Sequence, residues 1–370
     1  MGYEIDFLPV GEESKGGDAI ALRYGNLYGS RDEQTVITVD GGYTDDGEAL
    51  IKHIVDYYGT NRVDFVVSTH PDQDHITGLK VVLNEMQVGT LLMHQPWKHS
   101  STVSGARRTA FKARGFSERV EKSFEAASEL EAIATRRGVE IVEPLTGVKT
   151  SDGTFRILGP SQNYYEQLLT TEVQAPAQAE LATSYIQELL RKAAAGAVTF
   201  LAESLNVETL RDDGETTPTN NSSAICLLTI DGRRLLLTGD AGIPALDQAM
   251  AVLEAEGFEP GGFRFVQVPH HGSRRNVGPS ILNRMLGPKG QSMQQATAYV
   301  SVPRKNPEHK FPAKKSPMPS ADAAATSMSR RVRSKPIRTT HPPGLAGQPQ
   351  RRCRSTNELK MIAGHERGLA

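Results

Sequence analysis

Thr69-His70-Pro71-Asp72-Gln73-Asp74-His75-Ile76-Thr77-Gly78-Leu79 decides how this chain is read. It follows Val63 to Ser68, a β-branched run too short for a helix and therefore a predicted strand, and it leads into a glycine-bearing helix start. His70, Asp72, Asp74 and His75 place four possible metal ligands within six residues, on a loop that a rigid sheet can aim. Asp and His also cluster by chance in solvated loops. His-x-Asp-x-Asp-His between an apolar strand and a helix is a pattern that few purely structural needs demand.

Working outward, the chain before this loop alternates strands and turns. Tyr3 to Val10, Asp18 to Tyr24 and Thr35 to Val39 read as strands, the third ending in Asp40-Gly41-Gly42, where glycine permits a tight turn. Leu50, Ile51, Ile54, Val55 and Tyr58 recur at helical spacing across Glu48 to Tyr58. After the loop, Glu118 to Arg137 predicts a charged helix, Val139 to Val142 and Phe155 to Leu158 predict strands, and Gln162 to Ala195 predicts a peripheral helical insertion. Asp231-Gly232 between Ala224 to Ile230 and Arg234 to Thr238 marks a hairpin. Phe263 to Val268 predicts a further strand, running into Pro269-His270-His271-Gly272-Ser273, and Ala298 to Val300 another.

These later segments also carry chemistry. Asp240 follows Gly239 at the end of an apolar strand, where an unpaired acid is costly unless it meets a partner or a metal. His270 and His271 follow another apolar strand; alternation along a strand points neighbours to opposite faces, so one of the two, His270, is expected to face a metal. His271, with Ser273, would then hydrogen-bond a substrate anion.

Composition bounds the rest. Of 370 residues, 42 are Lys or Arg and 43 Asp or Glu, so a formal charge of −1 excludes any argument for nucleic-acid binding from overall basicity. With 38% hydrophobic and 23% charged residues the chain has an ordinary globular make-up. No apolar run approaches the roughly 18 residues of a membrane helix, and Met1 to Val10 lacks a signal-peptide pattern, so a soluble, cytoplasmic protein is expected. The cysteines Cys226 and Cys353 provide neither a disulfide framework nor a thiolate metal cage.

The charge is unevenly placed. Residues 1–315 hold 32 basic and 40 acidic side chains, a net of −8, whereas residues 316–370 hold 10 and 3, a net of +7. The second part is poor in apolar residues and reads as a disordered basic tail or as the product of a shifted reading frame.

Taken together, the motifs resemble the metallo-β-lactamase superfamily, whose hallmark loop is His-x-His-x-Asp-His. More narrowly the chain is similar to the soluble hydrolase domain of the DNA-uptake competence channel proteins, the ComEC type. Gly17-Asp18-Ala19-Ile20, Asp40-Gly41-Gly42, His70 to His75, Leu236 to Asp240 and Val268 to Ser273 match that pattern in order. The resemblance implies an α+β fold, a four-layer αβ/βα sandwich over residues 1–315 with helical insertions at about 100–137 and 162–195. It implies two divalent metal ions, zinc or manganese, at one sheet edge. His70 and Asp72 would hold one, Asp74 and His75 the other, Asp240 would bridge them, His270 would complete the second, and Asp40 would orient a ligand. Asp74 is the expected catalytic carboxylate.

Two departures stand out. Asp72 replaces the usual imidazole by a harder oxygen donor, which shifts preference towards manganese without excluding zinc. Asn220, within Thr219-Asn220-Asn221-Ser222-Ser223, stands where most members place a ligand histidine, so the first metal lacks one strong ligand. His94, His99 or water would have to substitute, and His94, on an apolar-flanked stretch, reads as structural. Later, Asn306 and His309 are expected near the mouth, with Arg274, Arg275, Arg304 and Lys305 as a rim favourable to phosphate.

The expected activity is hydrolysis of a phosphodiester, with nucleic acid or a nucleotide as the anionic substrate and water activated by the metals as the nucleophile. A hydrolase of another ester, a lactone or an amide would share the site. An iron oxygen-reductase also carries an acid at the position of Asp72, but keeps the histidine that Asn220 replaces. A metal-poor, non-catalytic binding module is the remaining reading.

Overall fold

The computed structural model describes residues 1–11, 16–99, 116–174, 210–288, 296–301 and 331–333. Two mixed sheets face each other. The first has strand order β12-β1-β2-β3-β4-β5-β6, built from β1 (Gly2–Phe7), β2 (Ala19–Gly25), β3 (Gln34–Gly41), β4 (Arg62–Val67), β5 (Gln87–Leu92), β6 (Glu140–Val142) and β12 (Arg331–Arg333). The second has order β11-β10-β9-β8-β7, from β7 (Phe155–Gly159), β8 (Ile225–Ile230), β9 (Arg233–Leu237), β10 (Phe263–Gln267) and β11 (Thr297–Tyr299).

Strand alternation fills the space between the sheets. Ile5, Phe7, Ile20, Leu22, Ile37 and Val39 from the first sheet meet Phe155, Cys226, Leu228, Leu235, Leu237 and Phe265 from the second in one buried cluster. The opposite faces of the same strands are apolar too and take helices. Ala21, Val36, Val66 and Leu91 pack against α1 (Thr44–His53), α2 (Gln73–Glu85) and α4 (Glu118–Arg137). Ile225, Leu227, Leu236 and Val266 pack against α7 (Ile243–Ala255) and α8 (Pro279–Leu286). Helix, sheet, sheet and helix make the four-layer αβ/βα sandwich that the resemblance implies. The remaining helices are α3 (Pro96–His99), α5 (Gln162–Gln174) and α6 (Pro218–Asn221).

Helix α4 lies over α2, and Ala126, Ala127, Leu130 and Ala134 enter the core between helices and sheet. It starts on Ser117, whose side chain accepts from Val120 N, and ends on Gly138 in the left-handed conformation. Gly78 marks the closest approach of α2 to β3: a Cβ there would lie 1.9 Å from the carbonyl oxygen of Gly41. This contact holds the loop 69–75 against the end of β3.

Within the basic tail, Arg331–Arg333 pairs antiparallel with β1. The rest of residues 316–370 lies outside the described residues, as do residues 175–195 of the expected insertion and Arg304, Lys305, Asn306 and His309. Strand β5 and helix α7 were not expected from the sequence.

Candidate metal centre

Strands β3 and β4 are parallel, so their C-terminal ends deliver Asp40 and the loop 69–75 to the same edge of the first sheet. Strands β9 and β10, also parallel, deliver Asp240 and His270-His271 from the second. At this edge His70, His75, Asp18, Asp40 and Asp240 are all buried.

The imidazoles are oriented by bonds on one side of each ring. Asp40 accepts from the Thr69 backbone N–H at 2.8 Å and from the Thr69 hydroxyl at 2.6 Å, and its Oδ2 lies 2.8 Å from Nδ1 of His75. A carboxylate can only accept, so Nδ1 of His75 carries a proton, and Nε2 is the nitrogen whose lone pair a cation can take in place of a second proton. Because the Thr69 hydroxyl proton goes to Asp40, its oxygen accepts from Nδ1–H of His70, 3.0 Å away. Nε2 of His70 is thereby left as a lone-pair donor as well.

Those two atoms and Oδ1 of Asp240 are buried and form no hydrogen bond. Nε2 of His75 lies 3.5 Å from Oδ1 of Asp240, and Nε2 of His70 lies 3.8 Å from its Oδ2. Two tetrahedral ligands about 2.0–2.1 Å from a zinc ion stand roughly 3.4 Å apart, so the spacing suits donors sharing a cation. Three buried lone-pair atoms directed at one another are costly without a cation between them. The donor set fits divalent ions.

The aspartates of the loop complete the picture. Asp72 is the N-cap of α2 but its carboxylate makes no cap bond. It is directed instead at His70, with Oδ2 3.8 Å from Nε2, and its Oδ1 accepts from Ser123 of α4 at 3.2 Å. Asp74 Oδ2 lies 3.8 Å from Nε2 of His75 and 4.0 Å from Nε2 of His271. The side chains of Asp72 and Asp74 are 27% and 29% exposed, so both face the mouth.

Charge coupling follows from this crowding. Burial disfavours a charged His75, but the carboxylates of Asp240, Asp74 and Asp40 outweigh it and hold the imidazole well above its ordinary pKa. Burial likewise disfavours a charged Asp240, yet the histidines, His75 and His270 foremost, hold its carboxyl well below the usual range. A divalent cation competes with these protons, so its affinity falls as the pH is lowered.

The pair His270-His271 departs from the expectation that only one faces inward. Strand β10 ends at Gln267, and the two histidines sit in a tight turn with φ of 48° and 54°, so strand alternation does not govern them. Both imidazoles turn towards the centre: Nε2 of His270 lies 3.6 Å from Oδ2 of Asp240, and Nε2 of His271 approaches Asp74. Ser273 lies on the same turn, its N–H on the carbonyl of His270 at 2.9 Å and its hydroxyl accepting from the Arg275 N–H at 3.4 Å. Arg274 and Arg275 are exposed beside it.

Asn220 makes a side-chain contact with His270. Its Nδ2 lies 3.3 Å from Nδ1 of His270. Of the substitute histidines, His94 has Nε2 2.9 Å from the Ser222 carbonyl, and His99 is held between Glu143 and Glu166.

Four residues without an expected role also build the centre. Asn276 donates to the carbonyl of Asp240 at 2.9 Å, so its Oδ1, 3.1 Å from Nδ1 of His270, accepts from that ring. Ser223 accepts from the Asp240 N–H at 3.2 Å. Ser123 reaches Asp72. Asp18, quoted only within a motif, is fully enclosed, and burial raises its carboxyl pKa. Sequence offers no local signal for Asn276 or Ser123, which act across the fold.

The sequence matches no protein-family model and no curated protein sequence. Among solved structures, the chain is similar to a candidate metallo-beta-lactamase from Thermotoga maritima, at 12% identity and a TM-score of 0.34 over 70% of this chain and 93% of that one. It is also similar to the hydrolase AbOPH of the beta-lactamase superfamily, at 10% identity and a TM-score of 0.33 over 64% of this chain and 67% of the other.

Proposed function

We propose that the chain is a metal-dependent hydrolase that takes two divalent cations, zinc or manganese, and cleaves a phosphodiester in a nucleic acid or nucleotide. The observation that carries this is the convergence of the buried, bond-free Nε2 atoms of His70 and His75 with Oδ1 of Asp240. Divalent ions at such a centre lower the pKa of a bound water and polarise a phosphoryl oxygen.

The chain's own groups supply geometry and charge. Asp40 fixes the tautomer and tilt of His75, and Thr69 does the same for His70. Asp72, Asp74 and Asp240 contribute three negative charges against four from the two cations, leaving a centre that attracts an anion. Asp74, at the mouth, is the carboxylate proposed to take the proton of the attacking water, on the oxygen that it does not turn to His75 and His271. Arg274 and Arg275, exposed on the same turn as Ser273, favour a phosphate over a neutral ester. The motif order shared with the competence channel hydrolase domains supports a nucleic-acid substrate.

The test is metal content together with hydrolysis of bis-p-nitrophenyl phosphate by the wild type and Asp74→Asn. Metal-dependent hydrolysis that falls by orders of magnitude in the variant is expected. Equal rates in both would remove the mechanism. A wild type that purifies with well under one metal and no activity would identify a binding module instead.

A further inference from the structure

The position taken by Asn220 leaves one cation a ligand short in the pattern drawn from the sequence. Asp240 separates the surrounding donors into two sets. Its Oδ2 faces Nε2 of His70 at 3.8 Å and Nε2 of His270 at 3.6 Å, while its Oδ1 faces Nε2 of His75 at 3.5 Å. Asp72 stands beside His70 in the first set, whereas Asp74 stands between His75 and His271 in the second. The ligand atoms of Asp74, His75 and His271 all lie within 4.8 Å of one another, and His270 has no place in that group.

The ring of His270 is held for this duty. Asn276 spends both amide hydrogens on the carbonyls of Asp240 and Ala241, at 2.9 and 3.3 Å, so its oxygen must accept from Nδ1–H of His270. Nε2 is then the atom with the lone pair, and it is the atom turned to Asp240. Asn276 is fully buried and ties the ring to the same backbone that carries the bridging carboxylate. Nδ2 of Asn220 also lies 3.3 Å from this Nδ1, a contact that is no hydrogen bond once Nδ1 carries the proton.

We infer that His270 supplies the imidazole missing at Asn220, so that His70, Asp72, His270 and Oδ2 of Asp240 hold one cation while His75, Asp74, His271 and Oδ1 of Asp240 hold the other. Each cation thus has two imidazoles, one carboxylate of its own and one oxygen of the shared carboxylate. This rests on the two-cation reading above. It moves His270 from the second cation to the first and makes His271 a ligand, where the sequence pattern left it to the substrate.

The test is manganese stoichiometry on the full chain, read by mass spectrometry after equilibration with the ion, with the paramagnetic signature of coupled against isolated manganese as a second readout. The wild type should bind about two ions, with a coupled signal, and His270→Ala and His271→Ala about one each, with an isolated signal. The pairs decide the partition. Asp72→Asn with His270→Ala removes ligands from one cation and should still bind about one, whereas Asp72→Asn with His271→Ala should bind none. His270 is 36% exposed, so its truncation leaves the core intact, which thermal unfolding checks. The opposite pattern, with the first pair empty and the second retaining an ion, would overturn the partition while leaving the two-cation reading in place. A wild type that binds no manganese or zinc would overturn both.

Discussion

Gln267 donates from Nε2 to Oδ2 of Asp18 at 2.8 Å, joining the end of β10 in one sheet to the start of β2 in the other. The same glutamine accepts at Oε1 from the backbone N–H groups of Thr238, at 2.9 Å, and Gly239, at 3.3 Å, the two residues that lead into Asp240. Asp18 in turn donates its own N–H to the carbonyl of Asp74 at 3.3 Å. One pair of side chains therefore sets how far the acid of the second sheet stands from the 69–75 loop of the first.

Gln267→Leu keeps the shape but strands the Asp18 carboxylate and the two N–H groups. At about 1–3 kcal/mol for each buried group left unsatisfied, a loss of about 3 kcal/mol or more in unfolding free energy is expected from urea titration. Asp18→Ala should cost less in the presence of Gln267→Leu than in the wild type, because the two act as a unit. Strict additivity of the two would contradict the tie.

Asp40→Asn tests the orientation of His75. An amide offers one accepting oxygen where Asp40 accepts three bonds, and its NH2 would face either Thr69 or Nδ1 of His75. Loss of about 10–100-fold in metal affinity is expected, read by competition with a chelating dye, with little change in the unloaded fold. Unchanged affinity would show that the carboxylate serves structure alone.

Ser123→Ala removes the bond to Asp72 from α4. A hydrogen bond to a carboxylate contributes about 1.5 kcal/mol or more, so roughly tenfold weaker binding of one cation is expected, with the other unaffected. Equal weakening of both in a two-step titration would contradict the assignment of Asp72 to one of them.

His94 predicts a pH dependence of stability. Burial pushes its pKa down to about 3, and its ring stacks on Tyr165 at 4.3 Å. The unfolded chain takes up a proton near pH 6.5 that the folded chain refuses, so stability falls with acidity from about pH 6.5 towards pH 3, by up to about 1.4 kcal/mol per pH unit. His94→Gln keeps a donor for the Ser222 carbonyl and removes the titration. Its urea midpoints between pH 7 and pH 5 should fall less steeply than those of the wild type. Parallel slopes would place the acid sensitivity elsewhere.

Much of this architecture is legible in the sequence because its periodicity is local. The Asp231-Gly232 hairpin, the charged helix over Glu118–Arg137 and the strand before His70 follow from turn chemistry and spacing alone. Helix α7 carries apolar residues on nearly every face, so no single stripe announces it, and β5 is diluted by Gly89 and Thr90. At the centre, the His and Asp residue types are legible but their spatial arrangement is not. His270 and His271 take left-handed backbone angles that no strand pattern anticipates, and Asn276, Ser123 and Gln267 act on residues far from them in the chain.

The measurement that bears most directly on the whole account is X-ray absorption at the metal edge of the fully loaded chain. It should give imidazole scattering together with a metal-to-metal vector of about 3.5–4 Å, as for two cations sharing one carboxylate. A spectrum of oxygen ligands alone with no second metal, or a chain that takes up no metal at all, would contradict the convergence of His70, His75 and Asp240 on a pair of cations.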